Sequence, residues 1–134
     1  RESEQVATVN IAPQPLHILL VEDDAGVRDT MAQLLRLDDH SVDCAANGRS
    51  ALEQFAPGKY DVVISDLGMP DMTGWEVLAA IRAADATITT ILASGWGAQI
   101  DPQEARTRGV DYIVPKPIDI DALNTALAAA QRVR

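Results

Sequence analysis

The sequence predicts an α/β domain of five consecutive strand and helix units, (βα)5, folded as a doubly wound five-stranded parallel sheet. Short apolar runs, such as residues 17–21 and 60–65, alternate along the chain with segments whose apolar residues recur at helical spacing. A continuous apolar run is typical of a strand that is covered on both faces. Because single helices separate consecutive strands, each connection is a crossover, which favours parallel strands with helices on both sides.

The predicted elements follow one another regularly from residue 17. The strands are predicted at 17–21, 41–45, 60–65, 87–94 and 110–114. The helices between and after them are predicted at 27–35, 48–55, 74–82, 101–109 and 120–131. The first helix is indicated by Val27, Met31, Leu34 and Leu35, which recur at helical spacing.

The ends of the last two helices carry recognisable signals. Asp101 suits an N-cap and Pro102 the first helical turn, and Glu104, three residues after Asp101, predicts a capping box. Gly109 then supplies a C-terminal stop. Asp119 is the predicted cap of the fifth helix.

The composition narrows the class of protein. The 134 residues suit one domain, with residues 1–15 interpreted as a linker or disordered lead and 16–134 as the folded part. The formal net charge of −9 disfavours direct binding to nucleic acid and suits a basic partner or a bound cation. No apolar run approaches the roughly 20 residues of a membrane-spanning helix, and no signal peptide is recognisable. The single Cys44 excludes an internal disulfide and a Cys-rich metal site. Without an export signal or a spanning segment, we expect a cytoplasmic protein that makes no membrane contact.

Polar residues follow or end four of the five predicted strands. Glu22 and Asp23 follow the first strand, Asp66 follows the third, Ser94 ends the fourth and Lys116 follows the fifth. Each of these alone is most often a turn residue, a helix cap or a surface charge. Because ligands of such sheets bind outside the carboxyl ends of the strands, their shared position predicts one functional site.

The carboxylates of this predicted site suit a magnesium ion. Crowded carboxylates repel unless a hard cation neutralises them, and Mg²⁺ prefers oxygen ligands. The site offers no thiol or imidazole cluster, so zinc is not expected. A carboxylate beside Mg²⁺ can attack phosphorus and form an acyl phosphate, whose oxygens then need positive charge and a hydroxyl donor. Asp66, Lys116 and Ser94 match these requirements.

Four segments resemble the signature segments of the response-regulator receiver domain of two-component signalling. They are ILLVEDD at 18–24, VVISDLGMPDMTGWEVL at 62–78, ILASG at 91–95 and YIVPKP at 112–117, in the family's order and at its usual intervals. The resemblance covers residues 16–131, which is nearly everything outside the lead. It implies a flavodoxin-like receiver fold.

The resemblance implies a role for each acidic residue of the site. Glu22 and Asp23 would be the acidic pair that holds Mg²⁺, with Asp23 the direct ligand. Asp66 would be the phosphoacceptor and a further ligand of the metal, and Gly68 would add its backbone carbonyl. The donor would be a histidine kinase or a histidine phosphotransfer domain.

The resemblance also assigns the residues that contact the phosphoryl group. Ser94 stands at the position of the family's switch Ser/Thr, and Lys116 at that of the lysine that pairs with the phosphate. The peptide bond between Lys116 and Pro117 would be cis. The domain would then promote its own phosphorylation and dephosphorylation and switch conformation, which leaves open whether the parent chain is itself an enzyme.

One position departs from the family's pattern. The family often has Tyr or Phe three residues before the lysine, as the partner of the switch hydroxyl, but this chain has Ile113 there. Tyr112 is one place earlier and is expected to point to the opposite side of the strand. Two interpretations of Trp96 stay open, because it either covers the pocket or packs against the fourth helix.

Two other functions are alternatives to a working receiver. A Mg²⁺-dependent phosphohydrolase with an aspartyl nucleophile usually needs a second acid two residues after the nucleophile, where this chain has Gly68. A docking pseudo-receiver that is never phosphorylated would not need the complete set of site residues. For the parent protein, the lead and the end after the fifth helix favour the C-terminal receiver of a hybrid sensor histidine kinase over a stand-alone regulator. A dimer through the fourth helix, fifth strand and fifth helix is common in the family.

Overall fold

Five strands alternate with five helices in the part of the chain that the structure, a computed structural model, describes, which is residues 15–95 and 99–133. In chain order they are β1 (His17–Val21), α1 (Ala25–Leu37), β2 (Ser41–Ala45), α2 (Gly48–Gln54), β3 (Val62–Asp66), α3 (Gly74–Ala84), β4 (Thr89–Ser94), α4 (Pro102–Thr107), β5 (Tyr112–Pro115) and α5 (Ile120–Val133). All strand pairs are parallel, in the order β2-β1-β3-β4-β5. The predicted (βα)5 architecture is confirmed, and residues 1–14 of the predicted lead lie outside the described residues.

Local hydrogen bonds set where several elements begin and end. β4 starts two residues later than predicted because Asp85 accepts hydrogen bonds from the backbone N–H and the hydroxyl of Thr87, at 3.1 and 2.8 Å, which makes a turn there. Gly109 has a φ of +92° directly beyond α4 and ends that helix as predicted. Asp119 accepts from the N–H of Ala122 at 3.2 Å, which confirms the predicted cap of α5.

The capping box lies on a different helix from the predicted one. Asp101 does cap α4, but its carboxylate accepts from the N–H of Gln103 at 3.0 Å and not in the capping-box pattern with Glu104. A complete capping box begins α3, where the Thr73 hydroxyl accepts from the N–H of Glu76 and the Glu76 carboxylate accepts from the N–H of Thr73. The sequence TGWE carried this signal and the prediction missed it.

Each face of the sheet is covered by its own apolar cluster. Alternate β1 residues point to opposite faces, so Ile18 and Leu20 enter one cluster and Leu19 and Val21 the other. The first cluster contains buried side chains of α1 and α5, and the second contains those of α2, α3 and α4. This two-sided burial explains why the strands read as continuous apolar runs.

The strand order reverses at β1, which lies between β2 and β3. In an open α/β sheet the crevice at such a reversal, outside the carboxyl ends of the strands, is where ligands bind. The predicted site residues after β1 and at the end of β3 therefore lie at the topological switch point. Among the described residues, no helix is long and apolar enough to cross a membrane.

Candidate functional site

The three predicted acidic residues meet at the carboxyl ends of β1 and β3. The register pairs Val21 with Ser65, so Glu22, which follows β1, lies beside Asp66, the last residue of β3. As a result Glu22, Asp23 and Asp66 each place one carboxylate oxygen within 4.8 Å of the others. Carboxylate oxygens at this spacing are the ligand type that Mg²⁺ prefers, so the donor set fits the predicted metal.

Lys116 reaches into this acidic cluster from the end of β5. Its ammonium donates to Asp66 Oδ1 at 3.0 Å and to Glu22 Oε1 at 3.2 Å, across the end of the intervening β4. Its backbone N–H donates to the carbonyl of Ser94 at 3.0 Å. The peptide bond between Lys116 and Pro117 is cis, as the resemblance implied.

Burial differs strongly within the acidic cluster. Glu22 is 2% exposed, Asp66 is partly buried and Asp23 is exposed. Burial raises the pKa of Glu22 and repulsion by Asp66 adds to it, although the backbone N–H of Asp24 and the Lys116 ammonium oppose the shift. Burial works to lower the pKa of Lys116, but its hydrogen bonds to Asp66 and Glu22 outweigh that effect and hold the pKa above its usual value.

Asp24, the cap of α1, and Arg28 of α1 both support the buried Glu22, and sequence reasoning predicted neither contact. The backbone N–H of Asp24 donates to Glu22 Oε2 at 3.2 Å, while the Asp24 side chain caps α1 at the N–H of Val27. The Arg28 guanidinium donates to the Glu22 backbone carbonyl at 2.9 Å. An arginine in the second turn of a helix carries no sequence signal for such a contact, since it is common on exposed helix faces.

The backbone beyond Asp66 packs too tightly for a side chain at one point. A Cβ on Gly74 would lie 2.4 Å from the backbone carbonyl oxygen of Asp66 and 2.7 Å from the Leu92 side chain. The N–H of Gly74 donates to the carbonyl of Leu67 at 2.7 Å. Gly68, in contrast, faces open space, since no atom lies within 4 Å of a Cβ built there. The loop therefore leaves the Gly68 backbone accessible while its far end is held against Asp66.

The remaining predicted residues lie at the same edge or flank it. Ser94 ends β4 one residue beyond Ala93, the partner of Asp66 in the register, and is buried. Ile113 packs with the cluster under α2, α3 and α4, and Tyr112 packs with the cluster under α1 and α5. The prediction that these two side chains point to opposite faces is confirmed, whereas Trp96 lies outside the described residues.

A parallel (βα)5 sheet with an acidic cluster at its switch point, reached by a lysine from the end of β5, defines a doubly wound α/β domain with a candidate cation site. The family model of the response regulator receiver domain matches residues 18–128. The chain belongs to this family.

Curated relatives include transcriptional regulators and a sensor protein. The transcriptional regulatory protein GlrR of Escherichia coli is 34% identical over 114 residues, covering 85% of this chain and 26% of GlrR. The aerobic respiration control sensor protein ArcB of Escherichia coli is 35% identical over 115 residues, covering 84% of this chain and 15% of ArcB. The chain thus spans about a quarter or less of these relatives.

Solved structures give the same fold. The receiver domain protein from Clostridium thermocellum superposes with a TM-score of 0.79 at 25% identity, covering 87% of this chain and 94% of that one. The response regulator TrrA from Thermotoga maritima, solved in complex with Mg²⁺-BeF, has a TM-score of 0.76 at 29% identity, covering 85% of this chain and 97% of TrrA.

Proposed function

We propose that this domain accepts a phosphoryl group on Asp66 in a Mg²⁺-dependent reaction, in the cytoplasm, from a histidine kinase or a histidine phosphotransfer domain. The observation that carries the proposal is the contact of one ammonium, Lys116, with both Asp66 and Glu22 inside the carboxylate cluster. An ammonium among carboxylates at a topological switch point is suited to hold a transferred anionic group.

The metal site in this proposal is built from Glu22, Asp23, Asp66 and the backbone carbonyl of Gly68. Receiver domains generally bind Mg²⁺ at an acidic site, and the three carboxylates fit that requirement. When bound, the ion offsets the negative charge of the carboxylates and of the phosphoryl oxygens. The complex of TrrA with Mg²⁺-BeF supports this assignment, because its chain superposes on this one.

The proposed transfer uses the residues in defined roles. A carboxylate oxygen of Asp66 attacks phosphorus, and the new O–P bond forms as the N–P bond of a phosphohistidine breaks. The bonding electron pair stays on the imidazole nitrogen, which then takes a proton. Lys116 pairs with one phosphoryl oxygen and the Ser94 hydroxyl donates to another, which couples phosphorylation to the backbone after β4.

The donor is proposed to dock beside α1. An apolar groove of about 530 Å³ lies between α1 and the segment that follows Lys116, with Val27, Met31 and Leu34 on one side and Ile118 and Ile120 on the other. It borders the acidic site, so a helix seated there can bring an imidazole to Asp66. Substituting Leu34→Asp should slow transfer from a kinase but not from acetyl phosphate, while Leu37→Asp, outside this groove, should leave both unchanged.

The test of the proposed function is phosphorylation by a small donor. The domain is incubated with acetyl phosphate, with and without Mg²⁺, beside an Asp66→Asn variant, and the intact mass and the consumption of donor are followed. A Mg²⁺-dependent gain of one phosphate that the variant lacks supports the proposal. Sustained consumption of acetyl phosphate without an adduct would favour a phosphohydrolase. If the donor is not consumed and Mg²⁺ does not bind, the docking pseudo-receiver is the remaining function.

Two finer proposals concern the parent protein and its assembly. We take the parent to be a hybrid sensor kinase; ArcB is a sensor protein, while GlrR, which matches at similar identity, is a transcriptional regulator, so the relatives support more than one kind of parent. The gene sequence upstream of this segment decides, since a kinase core must adjoin it. The proposed dimer uses α4, β5 and α5, where a groove of about 360 Å³ is lined by Ile100, Ala105 and Ile113. A concentration-independent monomer mass after phosphorylation would exclude that dimer.

A further inference from the structure

The loop between β3 and α3 is tied to the amino end of α2. The Asp71 carboxylate accepts from the N–H of Gly48 at 3.0 Å through Oδ1 and from the N–H of Arg49 at 2.8 Å through Oδ2. The backbone N–H groups of Arg49 and Gly48 hold the pKa of Asp71 below its usual value. The helix already has its own cap, because Asn47 accepts from the N–H of Ser50 at 2.8 Å. Asp71 therefore adds a connection between two elements beyond the usual N-cap.

Packing at the same point leaves little space between loop and helix. A Cβ on Gly48 would lie 2.8 Å from the Cβ of Met72, closer than side chains approach one another. Met69 and Met72 both pack against the apolar cluster under α2, α3 and α4. The loop is thus seated on α2 by two hydrogen bonds and by these methionines.

The tie lies three residues from the proposed metal ligand. Gly68 is exposed and has no atom within 4 Å of the Cβ position, so the space on that side of its backbone is open. Between Gly68 and Asp71 stand only Met69 and Pro70, and the proline ring restricts the backbone of this short link. A fixed Asp71 therefore limits where the Gly68 carbonyl can lie.

We propose that Asp71 is a positioning residue, which holds the Gly68 carbonyl for the metal by docking the loop on α2. This inference rests on the proposed function, because it takes that carbonyl to be a ligand. Supporting groups around a metal site fix the orientation of its ligands, and their loss weakens metal binding. By linkage, occupancy of the metal site must in turn stabilise the contact between the loop and α2.

The first test compares Mg²⁺ affinities by titration calorimetry. Asp71→Ala should weaken Mg²⁺ binding by about tenfold. Asn47→Ala is the matched control, since it removes a cap from the same helix and leaves the loop attached, and its Mg²⁺ affinity should stay at the wild-type value. Asp71→Asn keeps an acceptor without the charge and should retain part of the affinity. Equal loss in Asp71→Ala and Asn47→Ala, or in Asp71→Ala and Asp71→Asn, would overturn the proposal.

The second test reads α2 directly by amide hydrogen exchange. Mg²⁺ should slow exchange at the N–H groups of Gly48 and Arg49, which donate to Asp71, more than at Ser50, which donates to Asn47 within the same helix. An equal effect at all three, or no effect, would contradict the inference. Wild-type protein that binds no Mg²⁺ would refute the proposed function instead, so the two failures are distinguishable.

Discussion

The two ends of the sheet differ in how completely their charged and polar groups are paired. At the amino ends of β4 and β5 a closed network joins α3 to both strands: Arg82 donates to the Asp111 carboxylate, and that carboxylate also accepts from the N–H of Thr90 at 3.0 Å. The Thr90 hydroxyl donates to the carbonyl of Gly109 at 2.7 Å and accepts from the N–H of Asp111 at 2.9 Å. Every group in this set meets a partner of suitable charge.

At the carboxyl ends, a cluster of three carboxylates contains one ammonium, which contacts two of them. Lys116 contacts Asp66 and Glu22, so the cluster keeps surplus negative charge even though Glu22 is 2% exposed. Burial raises the pKa of Glu22 and repulsion by Asp66 adds to the shift, because both disfavour the charged form of this carboxyl group. The network at the amino ends of the strands stabilises the fold. The cluster at the carboxyl ends keeps an excess of negative charge, which a bound cation can neutralise.

Breaking the closed network should have the largest effect on stability. Thr90→Val keeps the shape of a fully buried side chain but removes the hydroxyl that donates to the Gly109 carbonyl and that shares the Asp111 N–H with the Thr90 backbone carbonyl. We expect the free energy of unfolding, measured with urea, to fall by about 2–3 kcal/mol. Thr125→Val, on the exposed face of α5, should change it by less than about 0.5 kcal/mol. Similar values for both variants would show that the network is unimportant.

Removing the Lys116 ammonium should leave the carboxylate cluster with more unpaired negative charge and so increase the affinity for Mg²⁺. In Lys116→Met, the carboxylates no longer have a competing cation, so Mg²⁺ should bind more tightly by about 1–2 kcal/mol. The chain's other lysine provides the control: Lys59 lies over the Tyr60 ring at 5.2 Å, and Lys59→Met should leave Mg²⁺ affinity unchanged. Weaker Mg²⁺ binding in Lys116→Met would mean that the ammonium supports the metal site.

Thr73, the N-cap of α3, lies at the carboxyl end of the sheet, but we expect it to affect stability. Thr73→Ala removes the hydroxyl that accepts from the N–H of Glu76 and should cost about 1 kcal/mol of unfolding free energy. Thermal unfolding measures it. Thr73→Ser, which keeps the hydroxyl, should recover most of that loss, and failure of the serine to do so would point to the methyl group.

The smallest expected effect is a pH dependence at the amino end of β1. His40 Nδ1 accepts from the N–H of Leu16 at 3.0 Å, so this imidazole must be neutral there. Burial lowers the pKa of His40, against the pull of Asp38 and Asp39. The pKa of His40 in the folded state thus lies below the unfolded value of about 6.5. The stability that neutral His40 contributes is complete above the unfolded pKa and is lost as the pH falls from there through the folded pKa.

An Asn at this position isolates the titration. His40→Asn retains an acceptor for the Leu16 N–H but does not titrate, so the stability difference between wild type and variant should shift in favour of the variant as the pH is lowered. Chemical unfolding at several pH values between about 7.5 and 5 measures this difference. A difference that stays constant with pH would contradict the assignment of a neutral His40.

Predictions from the sequence were accurate where they rested on the repeated strand and helix pattern or on local signals at helix ends. Asp66 and Lys116 were placed correctly because apolar runs mark the strands and residues that follow parallel strands share one edge. The cap at Asp119 and the stop at Gly109 were local signals of the same kind. The capping box was predicted at Asp101 but is formed at Thr73, where the pattern was overlooked.

Contacts between side chains far apart in sequence could not be predicted. Asp71 binds α2 across 23 and 22 residues, and Arg82 meets Asp111 across 29. Asp71 is exposed and Asp111 is half-buried, and an aspartate outside helices and strands is usually expected to bond locally. Arg28 likewise contacts the Glu22 carbonyl with no signal in the sequence. Such contacts depend on how helices pack, which periodicity does not determine.

The reach of Lys116 has a consequence for how the protein is made. Its partners Asp66 and Glu22 precede it by 50 and 94 residues. During synthesis the acidic cluster leaves the ribosome well before its cation, and a nascent chain that stops short of β5 carries the carboxylates without the ammonium. The contact of Lys116 with both carboxylates can therefore form only after the fifth strand has left the ribosome, later than the strands that carry its two partners.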